Sequence, residues 1–174
     1  MREGARPDLT TIFREHGRYV YSALRGVGVH EADLEDAFQE VFVVVHRKLA
    51  SYDDRGSLRA WVYGIAIRVG INARRRRAAK REVDADAAPE PVAPTTPIDQ
   101  LSDQQGRRIL ASILDELDDD KRAVFVLYEL EELTMPEVAQ SLDCPVQTAY
   151  SRLRAARTAV HEAIARFRQE KEHE

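Results

Sequence analysis

The stretch Leu114–Leu153, LDELDDDKRAVFVLYELEELTMPEVAQSLDCPVQTAYSRL, decides the fold. Its later apolar positions run Val138, Leu142, a break at Asp143-Cys144-Pro145, then Val146, Ala149, Leu153, and beyond it Ala156 and Val160. One helical stripe, a short turn and a second stripe make the pattern of a helix-turn-helix. Pro145 suits a position beside the start of the second helix, where its missing N–H costs little. Off the stripe, that helix carries Gln147, Thr148, Tyr150, Ser151, Arg152, Arg154 and Arg157. Hydrogen-bonding and cationic groups of this kind reach base edges and phosphates when a helix enters a major groove. A packed helical hairpin without DNA contact shows the same apolar spacing.

Upstream, three further helices are predicted. Leu9 to Leu24 opens after Asp8 and carries Ile12, Phe13, Tyr19 and Val20. A second begins near Asp33 as N-cap and sets Leu34, Phe38, Val41, Phe42, Val45 and Leu49 on one face. The third runs from about Ser57 to Arg81, with Leu58, Trp61, Val62, Ile65 and Val69 as its apolar side. Ser51 to Gly56, between the last two, is a loop by composition. Almost no alternating strand pattern occurs, so the class is all-α.

Val83 to Pro97, VDADAAPEPVAPTTP, has no periodicity and too little apolar surface to offset its own ordering. It reads as a linker, extended by proline at about 3.1 Å per residue and long enough to hold two domains roughly 40–50 Å apart. The organisation expected is two small helical domains, residues 1–82 and 102–174, around a linker of residues 83–101.

The net charge of −4 conceals segregation. Arg68, Arg74 to Arg77, Lys80 and Arg81 form a basic block, while Asp115, Glu116 and Asp118 to Asp120 form an acidic one. A phosphate backbone responds to local potential, so the total neither supports nor excludes nucleic acid. Cys144 is the single cysteine, which rules out an intrachain disulfide and a cysteine-rich metal site. The histidines never fall at ligand spacing, and there is no phosphate loop or nucleophile elbow. The expectation is no metal, no cofactor and no enzymatic activity. No N-terminal run resembles a signal peptide, and the apolar stretch around Val41 to Val45 is far too short to span a bilayer. A cytoplasmic chain with no membrane insertion is expected.

The third helix combines Arg59, Trp61 and Tyr63 near its start, just after Tyr52, with the arginine run at its end. Rings stack on unpaired bases while cations track phosphates, which is what a single-stranded nucleic-acid site needs. Trp61 shares the stripe of Leu58, Val62 and Ile65 and reads as core. The arginine run reads as a phosphate contact, because adjacent like charges repel without a counter-surface. Asp33, Glu35, Asp36, Gln39 and Glu40, on the second helix, read as a solvated face or as carboxylates complementing the helix dipole.

Taken in order, DLEDAFQEVFVVVHRKL (Asp33 to Leu49), SLRAWVYGIAIRVGINARRRR (Ser57 to Arg77) and the helix-turn-helix closely resemble the extracytoplasmic-function (ECF) group of bacterial RNA polymerase sigma factors. The resemblance implies that Asp36, Gln39 and Glu40 dock on the polymerase core. It implies that Tyr52, Arg59, Trp61, Tyr63, Arg68, Asn72, Arg75 and Arg76 read and open the downstream (−10-type) promoter element. A flipped, unpaired base would be trapped beside the loop Ser51 to Gly56. Gln147, Thr148, Tyr150, Ser151, Arg152, Arg154 and Arg157 would contact the upstream (−35-type) element. Polymerase core, promoter DNA and an anti-sigma protein are the implied partners. The turn has Asp143 where the family usually has glycine, a position asking for a left-handed backbone. The alternatives are a stand-alone dimeric helix-turn-helix regulator, and an anti-sigma-like or RNA-binding adaptor that uses the basic block electrostatically.

Overall fold

The structure, a computed structural model, describes residues 7–84 and 99–172. Among these residues all regular structure is helical. Helix α1 (Leu9–Gly26) starts where the Asp8 carboxylate accepts a hydrogen bond from the Thr11 N–H at 2.8 Å. That contact satisfies one of the donors every helix start leaves open, and it holds the Asp8 carboxyl below its ordinary range. The buried face of α1 is Ile12, Gly17, Val20, Ala23 and Leu24. Phe13 and Tyr19, expected among the apolar positions, lie half exposed instead. Phe13 lies over Phe38 and Phe42, with ring centroids 5.7 and 4.8 Å away.

Helix α2 (Leu34–Leu49) follows a single 3₁₀ turn at Glu31–Asp33 and buries Leu34, Ala37, Val41, Phe42 and Val45. Asp33 occupies the cap position but makes no side-chain cap. The reason is competition: its carboxylate accepts from Arg77 at 2.9 Å, a charge-assisted bond stronger than one to a neutral N–H. Helix α3 (Leu58–Val83) is capped by the Ser57 hydroxyl and runs two residues past the expected end. Its first half is buried on every side, from Ala60 through Gly70, with only Trp61 and Arg68 standing out from that run. A helix apolar all round is one wrapped by neighbours; α1 and α2 cover one side and the C-terminal helices the other.

The C-terminal helices are α4 (Asp99–Asp115), α5 (Asp119–Phe125), α6 (Met135–Ser141) and α7 (Val146–Glu172). Asp118 caps α5, and one π-helical turn at Val126–Leu130 continues it. Thr134 and Glu137 form a reciprocal capping box at the head of α6, with Pro136 in its first turn. The expected stripe Ala149, Leu153, Ala156 and Val160 is buried, whereas Val146, at the very start of α7, is exposed.

Buried residues of both halves join in one continuous core. A spacing of 40–50 Å between the units is therefore not what the described residues adopt: α3 packs directly on α6, and α1 on the π-helical turn. Of the expected linker, residues 83–101, Val83 ends α3 and residues 99–101 belong to α4, which begins at Asp99, while residues 85–98 lie outside the described residues.

Candidate nucleic-acid interface

The helix-turn-helix is α6, the turn and α7. Asp143 in the turn has φ +50°, the left-handed conformation expected there. The Cys144 N–H donates to the Ala139 carbonyl at 3.0 Å, and the Ala149 N–H to Pro145 at 3.1 Å, which locks the turn onto both helices. Ala149, Leu153 and Ala156 seat α7 against the core. That rotation leaves Gln147, Tyr150, Ser151 and Arg154 exposed along one side, with Tyr150 48% exposed and Thr148 half-buried. Arg152 turns back to Asp120 at 2.9 Å. Arg157 pairs with Glu129 at 2.5 Å and lies over the Tyr128 ring, 5.5 Å from its centroid.

On the other unit, Tyr52 is buried and organises the Ser51 to Gly56 loop. Its hydroxyl donates to the Gly56 carbonyl at 3.2 Å, and its ring lies 4.8 Å from that of Trp61. Trp61 is half-buried against the core rather than wholly within it. Arg68 and Asn72 are exposed and one helical turn apart, and Arg75 and Arg76 continue the same side of α3. Asp36 and Gln39 are exposed on α2, where the half-buried Glu40 accepts from Arg76 at 2.9 Å.

The arginine run has the counter-surface that the sequence did not display. Arg74 and Arg75 both reach Asp119, at 3.1 and 2.8 Å, Arg76 reaches Glu40 and Arg77 reaches Asp33. Repulsion among the four is relieved within the chain, so repulsion alone does not argue for phosphate.

Tyr63 and Arg59 face the C-terminal unit. Tyr63 is 1% exposed, and its hydroxyl donates to Glu131 Oε2 at 2.8 Å. Burial, reinforced by the Glu131 carboxylate, pushes that hydroxyl far above the usual phenol range, so it remains a donor. Arg59 donates to the Glu131 carbonyl at 2.6 Å and lies over the rings of Tyr19 and Tyr63. Glu131, Asp119 and Ser57, which join the two units, were missed by the sequence reading. The one available signal was Gly64, a glycine at mid-helix, where it costs stability unless close packing requires it.

Comparison with known proteins sets this geometry in a class. Residues 12–80 match the model of sigma-70 region 2, and residues 107–160 match the model of sigma-70 region 4. Over 145 residues the chain is 30% identical to the ECF RNA polymerase sigma-E factor of Escherichia coli (strain K12), covering 78% of this chain and 76% of that protein. It is 28% identical over the same length to the sigma-E factor of Haemophilus influenzae, covering 77% of it. In fold it resembles CnrH in complex with the cytosolic domain of CnrY, with TM-score 0.68, 25% identity, and coverage of 93% of this chain and 90% of that one. It also resembles the sigma factor RpoE of Bartonella quintana in complex with the anti-sigma factor NepR, with TM-score 0.70, 18% identity, and coverage of 91% and 97%. The chain belongs to the ECF RNA polymerase sigma factors. It is an alternative sigma factor that directs transcription initiation. Among the described residues no helix is long and apolar enough to cross a membrane.

Proposed function

We propose that residues 1–82 dock on RNA polymerase core and open the downstream element, that residues 83–101 link the units, and that residues 102–174 read the upstream element. The observation that carries this reading is the exposed row Gln147, Tyr150, Ser151 and Arg154 at the head of a helix whose entry the left-handed Asp143 fixes. Three of these side chains hydrogen-bond in the plane of a base edge, and Arg154 adds a bidentate cation. Thr148, Arg152 and Arg157 flank the row and serve phosphates once released from Asp120 and Glu129.

On α3, Arg68, Asn72, Arg75 and Arg76 track the downstream element, while Tyr52, Arg59, Trp61 and Tyr63 shape the site for an unpaired base. Asp36, Gln39 and Glu40 contact the polymerase core. The chain supplies recognition, and the nucleotide chemistry belongs to the polymerase. It works in the cytoplasm, where an anti-sigma protein covers the same faces, a partner supported by the similar fold of the sigma factor RpoE in complex with the anti-sigma factor NepR.

The test is transcription in vitro with purified chain, core polymerase free of other sigma factors, and a genomic fragment library. New transcripts that share start-site motifs and vanish when the chain is omitted are expected. No transcripts, with tight binding to a palindrome in the absence of core, would overturn the reading.

A further inference from the structure

On the seam between the two units, α1 and α4 leave a cavity of about 610 Å³ between them. Arg18, Tyr21 and Arg25 line it from α1, and Arg107, Leu110 and Leu114 line it from α4. Each trio follows the spacing i, i+3, i+7, which places its members on one face of a helix. The two faces confront each other across the cavity, while α4 itself rests on α7. Among the described lining residues none is acidic, and a fourth arginine, Arg122, belongs to the wall.

A helix face that looks onto another helix is ordinarily apolar. Here four guanidinium groups turn toward one space. Arg122 is 2% exposed and fixed by its bonds to the Gly26 carbonyl at 2.9 Å and Asp115 at 2.5 Å, so it adds a buried positive charge. The other three stand exposed. Arg18 makes no ion pair among the described residues, and Arg25 meets Glu31 only at 3.9 Å, between side chains that are 49% and 69% exposed. A pair of that length and exposure is worth little and gives way to a better-placed anion. A cleft lined by one sign of charge over apolar walls focuses its field and concentrates counter-ions.

The rest of the lining narrows the kind of anion. Planar guanidinium groups meet phosphate oxygens two at a time. Arg18 and Arg25 stand two helical turns apart, about 10 Å along the axis, so a chain of phosphates fits them better than a single one. Tyr21 lies between them, 37% exposed, with Phe38 edge-on to its ring at 6.0 Å. Together with Leu110 and the exposed Leu130 it offers the flat apolar surface on which a base stacks. The volume is that of a small-molecule site and does not admit a duplex.

We infer that this cavity binds a small polyphosphorylated nucleotide, with Arg18, Arg25 and Arg107 on the phosphates and Tyr21 against the base. None of these residues belongs to the promoter or polymerase assignments above, and binding requires neither DNA nor polymerase.

Isothermal titration of the full chain with ATP, GTP and inorganic triphosphate, in magnesium-free buffer, tests the site. At least one of the two nucleotides should bind one-to-one, about fivefold or more tighter than inorganic triphosphate. Arg18→Ala and Arg107→Ala should each weaken nucleotide binding roughly tenfold or more, the effect of losing charge-assisted hydrogen bonds. Arg108→Ala removes the same charge from the same helix, one residue away from the lining, and should change affinity by less than about twofold. Tyr21→Leu should weaken nucleotide binding about fivefold and leave inorganic triphosphate as it was. All four positions are exposed, so the variants keep the fold, which helix content by circular dichroism verifies.

No binding of either nucleotide would overturn the site. So would equal losses from Arg107→Ala and Arg108→Ala, the mark of unspecific attraction to a basic surface. Inorganic triphosphate bound as tightly as the nucleotides would overturn the nucleotide assignment. A short single-stranded oligonucleotide bound in preference to both nucleotides, and lost with the same variants, would overturn it in favour of a nucleic-acid strand.

Discussion

Gly64 of α3 lies against the backbone of Ser141 so closely that a β-carbon would stand 2.6 Å from the Ser141 carbonyl oxygen. The Ser141 hydroxyl in turn donates to the Ala60 carbonyl at 2.8 Å, one helical turn before Gly64. Helix α3, the element assigned to the downstream promoter, is thereby held to α6, the first helix of the upstream reader, by backbone contact.

Gly64→Ala should therefore destabilise the chain by about 1–3 kcal/mol, the usual cost of overpacking a tight site, even though alanine favours a helix. Gly106 is the control: it also lies in a helix, but nothing stands within 4 Å of its would-be Cβ. Gly106→Ala should stabilise by about 0.4–1 kcal/mol. Chemical denaturation of both variants checks the pair. Equal effects at the two positions would remove the close approach as the cause.

Arg122 is a second tie across the seam. It is 2% exposed, donating to the Gly26 carbonyl at 2.9 Å and to Asp115 at 2.5 Å. Burial lowers its pKa, yet it remains a cation because arginine starts so high. Arg122→Leu keeps the apolar bulk but strips the Gly26 carbonyl of its donor, at a cost of about 1–3 kcal/mol. Asp115→Asn should cost less, because the asparagine Oδ1 still accepts from Arg122 and the Asp115 side chain is largely exposed. Urea unfolding of the two variants should rank them in that order.

Helices α1, α2, α3, α6 and α7 were legible because each carries its own signals, whereas α4 begins at Asp99, inside the expected linker. Asp8 and Ser57 cap where their positions suggested, and Asp143 adopts the left-handed turn. Thr134-Met135-Pro136-Glu137 was an equally local signal, a capping box readable from spacing alone. What stayed hidden is the seam. Arg75 and Asp119 are 44 residues apart, and Tyr63 and Glu131 are 68 apart. Neither pairing follows any helical period, so a run of arginines reads the same whether it faces phosphate or a distant carboxylate. Asp33 illustrates the same limit: its choice of Arg77 over its own helix start depends on a residue 44 positions away.

Glu137 links stability to pH. Burial acts to raise its pKa, but hydrogen bonds from Thr134 and Ser57, with the charge of Arg59, outweigh that and hold it below the ordinary 4.5. A carboxylate with a depressed folded-state pKa contributes stability that is fully present above its unfolded pKa and is lost as pH falls through the folded one. Glu137→Gln should cost on the order of 1 kcal/mol at neutral pH, through the capping box. The gap between variant and wild type should hold from pH 7 to 5.5 and narrow below about 4.5. Thermal melts across that range test it, and a gap that widens on acidification would reverse the assigned sign.

Arg154 and Arg157 stand about one turn apart on α7 but are held differently, and they should answer differently to removal. Arg154 is exposed beside Tyr150 and Ser151, whereas Arg157 is tied to Glu129 and stacked on Tyr128. If Arg154 meets a base edge, Arg154→Ala should weaken upstream-element binding by about 1–3 kcal/mol and relax discrimination at one position. Arg157→Ala should weaken binding to every sequence alike and lower the slope of log affinity against log salt by about one, the mark of a lost phosphate contact. Binding titrations of both variants on the upstream duplex, at several salt concentrations and with each base pair replaced in turn, read the two effects apart. Uniform loss across sequences for Arg154→Ala would move it to the backbone, and unchanged affinity would take it out of the interface. An unchanged salt slope for Arg157→Ala would mean that Glu129 keeps its partner when DNA is bound.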